Sequence, residues 1–252
     1  MILPRTPSFR LDGRRAFVAG GSRGIGLGCA AALAEAGAAV TIGARGIGEA
    51  QRAAAAIRDA GGEAHAVPLD VTEVAAVRDA LAEHAPDVLV NSAGLARHAP
   101  ALETTEADFD AVEAVNVKAA FFLATEAARG MKARGGGSIV QIGSQMGHVG
   151  GVDRAIYCAT KHAVEGMTKA MAIEWGKARV RVNTVCPTFV RTDLTAATFA
   201  DPEKRAWIEG KVKLPRVAEV EDVMGAVLFL ASDAAAMVTG THLLIDGGWT
   251  AG

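Results

Sequence analysis

Short, fully apolar runs alternate along the chain with longer stretches in which alanine, leucine and valine recur at helical spacing. From Arg14 the run Ala16-Phe17-Val18-Ala19 reads as a strand that stops at a cluster of glycines, and an Ala-rich helix follows, ending near Gly37. The alternation repeats: a strand over Ala39–Ile42, a helix over Glu49–Ala60 closed by Gly61-Gly62, a strand over Ala64–Leu69 and a helix over Val74–Glu83. A buried strand, Val88–Val90, then precedes a helical region from Glu106 to Lys132, broken by Gly135-Gly136-Gly137 before the strand Ser138–Ile142. Ala155–Trp175 is helical, Val180–Val185 alternates as a strand does, and Val220–Ala231 and His242–Ile245 supply a last helix and strand. Strands that alternate with helices predict a parallel sheet with right-handed crossovers. The expected fold is therefore α/β: a single doubly wound domain over residues 1–252, with a seven-stranded parallel sheet and helices on both faces.

One segment breaks this texture. Between Pro187 and Pro215 threonines, Pro202 and Lys/Glu pairs appear without a clear core stripe. A long irregular segment in a compact domain is usually a lid or binding loop, so a substrate lid is expected at about 188–215.

Composition narrows the function. A chain of 252 residues that is 50% hydrophobic can close one large core. Its charge is −2, with no long basic block, which argues against nucleic acid or an anionic membrane as the main partner and favours a small molecule. The apolar runs are far shorter than the ~20 residues of a membrane span, and Met1–Phe9 lacks the apolar core of a signal peptide. A cytoplasmic protein is expected. Cys29, Cys158 and Cys186 are scattered, and the six histidines show no ligand spacing, so neither a disulfide framework nor a metal site is expected.

The chemistry starts at two places. The strand Ala16–Ala19 runs into Gly20-Gly21-Ser22-Arg23-Gly24-Ile25-Gly26 and then a helix, the phosphate-binding arrangement of Rossmann-type folds, in which backbone N–H groups at a helix N-terminus face an anion. The spacing is G-x-x-x-G-x-G. Further along, Tyr157 and Lys161 stand at i and i+4, neighbours on one helix face. An ammonium roughly 5 Å from a phenol, at an effective dielectric of about 20, favours the phenolate by about 3 kcal/mol. This brings a proton donor and acceptor toward neutral pH, as general acid–base catalysis requires. Tyr157 is the only tyrosine, so no other phenol can take that part.

Taken together, these residues resemble the short-chain dehydrogenase/reductase family, from Leu11 to Gly248. The family's T-G-x-x-x-G-x-G is matched with Ala19 in the Thr place, its Asp-Val by Asp70-Val71, and its N-N-A-G by Asn91-Ser92-Ala93-Gly94, where Ser92 replaces the second Asn. Asn116, Ser144, Tyr157 and Lys161 match its helix Asn and its Ser, Tyr and Lys, while P-G-x-x-x-T becomes Pro187-Thr188-Phe189-Val190-Arg191-Thr192, with Thr188 in place of Gly. The resemblance implies a catalytic set of Asn116, Ser144, Tyr157 and Lys161. It implies a nicotinamide dinucleotide held by Gly20, Ser22, Arg23, Gly24, Ile25, Gly26, Arg45, Asp70, Val71, Asn91, Ala93, Gly94, Tyr157, Lys161, Pro187, Val190 and Thr192. Asp70 would hold the adenine, Lys161 the nicotinamide ribose, and Val190 and Thr192 the carboxamide. Asn116 would interrupt its helix and hold a water that links Lys161 to solvent.

The strand Val40–Ala44 ends without the acidic residue that accepts from a ribose 2′-OH, and Arg45 with Arg23 suits a 2′-phosphate. NADP(H) is expected over NAD(H). Substrate selectivity is assigned to Gln145, His148 and their neighbours, to Leu95–His98 and to the lid. The polar Gln145 and His148 favour a polyol, sugar acid or small keto compound, interconverted between secondary alcohol and ketone. A 3-oxoacyl carrier-protein reductase is the enzymatic alternative and would need a basic docking patch, for which Arg129, Lys132 and Arg134 are the candidates. A non-catalytic dinucleotide-binding regulator is the alternative of another class, although such a protein would be expected to have lost Tyr157 or Lys161. The resemblance also implies a homotetramer or homodimer.

Overall fold

The computed structural model describes residues 1–252. Its strands are β1 Arg15–Ala19, β2 Ala39–Ala44, β3 Glu63–Pro68, β4 Val88–Asn91, β5 Gly137–Ile142, β6 Val180–Pro187 and β7 His242–Ile245. The long helices are α1 Gly24–Glu35, α2 Ile47–Asp59, α3 Val74–His84, α4 Glu106–Glu113, α5 Ala120–Arg134 and α6 Ala155–Trp175. They are followed by the short α7 Ala196–Ala200, then α8 Pro202–Lys211 and α9 Val220–Ala231. All seven strands lie parallel in the order β3-β2-β1-β4-β5-β6-β7. Strand order reverses between β1 and β4, which opens a crevice above their C-terminal ends, the place where such sheets bind ligands.

Helices cover both faces, so the central strands carry continuous apolar runs rather than alternation. On one face α1, α2 and α9 bury Leu33, Ile57, Val223, Val227 and Leu230 against the sheet. On the other, α3, α5 and α6 bury Val77, Leu81, Leu123, Met131, Met171 and Trp175. α9 opens with a capping box in which Glu219 and Asp222 each take the other's backbone N–H, and α5 ends at Gly135, whose φ of +96° is left-handed.

Two expectations are refined. The helical region read as Glu106–Lys132 is not one helix: a π-helical turn, Ala114–Ala119, separates α4 from α5. Asn116 lies in that turn and is tied by its side chain to Leu95 and Thr160. The 188–215 segment is also more ordered than its texture suggests, because α8 buries Ile208 completely and Val212, just past its end, is almost as buried. Asp201 caps α8, accepting from the N–H groups of Glu203 and Lys204 at 3.0 and 3.1 Å, with Pro202 at the first helical position. One buried side chain in ten residues is too little to register as a core face.

Candidate active site

The glycine turn is built by close packing. Gly20 has φ +74°, and a β-carbon there would stand 2.8 Å from the Ala93 nitrogen. One on Gly26 would stand 2.0 Å from the Gly20 carbonyl oxygen. A side chain at Gly20 would push the turn away from the segment after β4, and one at Gly26 would push the start of α1 away from Gly20. The first turn of α1 carries no acidic residue, so its N–H groups remain free to meet an anion. Thr192 reaches the same place from beyond β6: its methyl lies 3.4 Å from where a Gly24 β-carbon would be. Three segments distant in sequence thus converge on the mouth of the crevice, and they fit a dinucleotide.

Around that mouth the expected residues divide by how they are used. Asp70 accepts from the Thr72 N–H at 2.9 Å and the Thr72 hydroxyl at 2.7 Å. These bonds hold its carboxyl below the usual carboxylate range, with a smaller push from Arg45. Arg23 and Arg45 are exposed. Asn91 is buried and spent inside the protein, donating to Gln141 Oε1 at 2.8 Å and accepting from the Ala93 N–H at 3.1 Å, so it shapes the 91–94 turn. Val71 is buried and Gly94 exposed beside Asn116. Pro187 closes β6 opposite Ile245, and Val190 bridges to Ala218. Thr188, where the family has glycine, donates its N–H to Ile245 but leaves its buried hydroxyl without a partner.

At the sheet's centre the helix α6 presents Tyr157 and Lys161 together. The Lys161 ammonium is buried, lies 5.7 Å from the centre of the Tyr157 ring, and donates to the Ile142 carbonyl at 2.9 Å. That carbonyl at the end of β5 fixes the long side chain against the phenol. Ser144 lies just beyond β5, and its Oγ accepts from the Met146 N–H at 3.1 Å. Accepting there leaves the hydroxyl hydrogen free to donate elsewhere. Asn116 Oδ1 accepts from the Leu95 N–H at 2.8 Å, while its Nδ2 donates to the Leu95 carbonyl at 2.9 Å and to Thr160 Oγ1 at 3.1 Å. The Thr160 hydroxyl in turn donates to the Tyr157 carbonyl at 2.8 Å. Asn116 therefore joins the Leu95 loop to the turn that carries the phenol.

The residues assigned to substrate behave differently from one another. Gln145 is buried, and neither amide atom has a hydrogen-bond partner within the protein. His148 turns to Glu165, 3.9 Å away, and its ring lies 4.2 Å from that of His242. Burial pushes the His148 imidazole below its ordinary pKa, against the pull of Glu165. His98 stands edge-on to Tyr157 with ring centres 5.6 Å apart.

Sequence reasoning did not single out Trp249, Arg154 or Glu165. Phe189, Trp207 of α8 and Trp249 form an aromatic cluster with ring centres 5.1–6.2 Å apart, and the Arg154 guanidinium sits 5.5 Å over Phe189. Glu165, one turn beyond Lys161, is a buried carboxylate that accepts from Thr184 Oγ1 at 2.9 Å and the Cys186 thiol at 3.2 Å. Burial and Glu165 push that thiol up to about 12. The only available signal for Glu165 was its i+4 relation to Lys161. A tryptophan beside Gly247-Gly248 was the signal for Trp249. Of the basic residues considered for carrier-protein docking, Arg129 pairs with Glu126 at 3.2 Å and Arg134 with Asp87 at 3.8 Å.

Residues 19–250 match the family model described as enoyl-(acyl carrier protein) reductase. With the crevice, the glycine turn and the Tyr–Lys pair, that match places the chain in the short-chain dehydrogenase/reductase family, as a dehydrogenase/reductase acting on CH–OH groups. Relatives named gluconate 5-dehydrogenase, D-threitol dehydrogenase and L-xylulose reductase match it along most of their length. It is 38% identical over 247 residues to gluconate 5-dehydrogenase of Gluconobacter oxydans, with 96% of each chain covered. It is 40% identical over 250 residues to D-threitol dehydrogenase of Mycolicibacterium smegmatis, with 96% of this chain and 95% of that one covered. Among solved structures, a gluconate 5-dehydrogenase from Burkholderia cenocepacia in complex with NADP and tartrate superposes with a TM-score of 0.94 at 39% identity, covering 97% of this chain and 98% of that one. No helix is long and apolar enough to cross a membrane.

Proposed function

We propose that this enzyme is an NADP(H)-dependent oxidoreductase that interconverts the secondary alcohol and ketone of a polyol or sugar acid, with Tyr157 as acid and base. The observation that carries the reading is the buried Lys161 ammonium, anchored to the Ile142 carbonyl and 5.7 Å from the only phenol in the chain. The bound nicotinamide supplies the hydride acceptor or donor. In the oxidative direction Tyr157 takes the hydroxyl proton; in the reductive direction it gives one to the carbonyl oxygen. Lys161 stabilises the phenolate. Ser144 donates its free hydroxyl hydrogen to the substrate oxygen as charge grows there, an oxyanion-hole role. The Asn116 amide makes three of its four possible hydrogen bonds, which leaves one lone pair of Oδ1 for the proposed relay water.

The cofactor would be held by the glycine turn from Gly20 to Gly26, by Asp70, Val71, Asn91, Ala93 and Gly94, by Tyr157 and Lys161, and by Pro187, Val190 and Thr192. Arg23 and Arg45 would meet the 2′-phosphate. His98, edge-on to the phenol, Arg154 over Phe189 and the unpaired Gln145 amide beside Ser144 are polar groups suited to hydroxyls or a carboxylate, and His148 supports the loop that carries Gln145. Relatives that act on gluconate and threitol support this substrate class, and neighbours solved with NADP support the cofactor. The paired states of Arg129 and Arg134 weigh against carrier-protein docking. We further propose a cytoplasmic homotetramer or homodimer, its contact including the exposed Phe121 and Ile173 of α5 and α6, and a single domain in which residues 188–215 form the lid. Turnover of sugar acids and polyols by wild type and Tyr157→Phe tests the mechanism: a loss of at least ~10²-fold in kcat is expected, and retained turnover overturns it.

A further inference from the structure

Beneath Ser144, on the side of the sheet's β7 edge, lies a polar cluster that the proposed chemistry does not use. His148 Nε2, a Glu165 carboxylate oxygen and the Cys186 thiol all lie within 4.8 Å of one another. Glu165 Oε1 is 3.2 Å from Cys186 Sγ and 3.9 Å from His148 Nε2, and Glu165 Oε2 is 4.0 Å from His242 Nδ1. We propose that His148, Glu165 and Cys186, with His242 as the fourth ligand, bind one zinc-class divalent cation.

Distance, donor chemistry and charge support the site. A tetrahedral zinc with bonds of about 2.0–2.3 Å sets its ligand atoms on the order of 3.2–3.7 Å apart, so the two contacts to Glu165 Oε1, 3.2 Å from Cys186 and 3.9 Å from His148, are already near that length. His148 Nε2 is buried with no hydrogen-bond partner. The donor set of imidazole, carboxylate and thiol selects zinc or cobalt over magnesium and calcium, which take oxygen. Charge closes as well: the Glu165 carboxylate and a Cys186 thiolate cancel a divalent cation, and the single proton released from the thiol passes to solvent. The Thr184 hydroxyl, 2.9 Å from Glu165 Oε2, orients the carboxylate in the manner of an outer-shell partner. His242 is partly exposed and packs on His148, and reaching the cation requires its ring to turn inward from the position 4.0 Å from Glu165 Oε2.

The ligands come from four elements: the loop after β5, α6, β6 and β7. A cation there would pin the loop carrying Ser144 and Gln145 to the helix carrying Tyr157 and Lys161. It acts as a positioning device rather than a reacting centre.

Cobalt titration of the chelator-treated, full-length protein tests this without reference to turnover. One equivalent is expected, with visible bands of tetrahedral cobalt and a near-ultraviolet thiolate-to-cobalt charge-transfer band that zinc abolishes. Cys186→Ser should lose the charge-transfer band, and His148→Gln should fail to reach one equivalent, with folding of each variant checked by circular dichroism. No saturable uptake in the wild type overturns the proposal, as does a charge-transfer band that survives in Cys186→Ser. Should that variant not fold, X-ray absorption on the wild-type cobalt form decides: one sulfur among nitrogen and oxygen donors is expected, and a sulfur-free shell refutes the site.

Discussion

Asn116 ties three parts of the molecule, and its removal gives a number that can be checked. Asn116→Ala deletes hydrogen bonds of 2.8, 2.9 and 3.1 Å and leaves the Leu95 N–H and carbonyl without the partners they now have. At about 1 kcal/mol per bond, and more where a part-buried donor is orphaned, the loss sums to roughly 3–5 kcal/mol. Thr160→Val removes the bond to Asn116 and the one to the Tyr157 carbonyl, which should cost about 1–2 kcal/mol. Because the two residues share a contact, the double variant should fall short of the sum by about 0.5–1.5 kcal/mol. Urea unfolding followed by circular dichroism, at one protein concentration for all four proteins, measures each value. A cost below ~1 kcal/mol for Asn116→Ala, or additivity within ~0.5 kcal/mol, would show that this amide does not bind the Leu95 loop to α6.

Gly26→Ala places a β-carbon 2.0 Å from the Gly20 carbonyl, so the glycine turn must open and NADPH affinity by fluorescence titration should fall at least ~10-fold; unchanged affinity would contradict the packing argument. If Arg45 meets the 2′-phosphate, Arg45→Asp should weaken NADPH use by about 10- to 100-fold in kcat/KM while sparing NADH. A wild type that uses NADH as well as NADPH would overturn the NADP(H) assignment. The Asp222 carboxyl is lowered from 3.8 to about 2, first by the Arg216 side chain and then by the Glu219 N–H. A depressed carboxyl stabilises the fold above its unfolded pKa and loses that contribution as pH falls through the folded one. Asp222→Asn should therefore lower Tm at neutral pH, with the gap to wild type closing between about pH 4 and pH 2. A gap that stays constant over that range would rule out the ion pair as its source.

The parts legible in the sequence are those fixed by local pattern. α6, α9 and β7 have the limits read from periodicity. Tyr157 and Lys161 were readable because i, i+4 geometry is dictated by the helix itself. What escaped depends on long-range contacts or on a single step of register. The interruption at Asn116 was expected from the family resemblance but not from periodicity, because a π turn differs from an α-helix by one hydrogen-bond position and leaves the hydrophobic spacing nearly intact. Glu165 looks like any solvated helical glutamate until β6 and β7 bring Thr184, Cys186 and His242 against it. Gln145 and His148 share one loop, yet only the fold reveals that one is buried with an unpaired amide and the other faces Glu165.

Trp207 and Trp249 lie 5.1 Å apart at 78°, one on α8 and the other at the far end of the chain. Two indoles that close interact electronically, while Trp175 sits apart in the core behind α6. The molecule thus carries its own optical gauge: any swing of the segment bearing Trp207 would alter near-ultraviolet dichroism and emission without an attached dye, and the third indole supplies an internal reference.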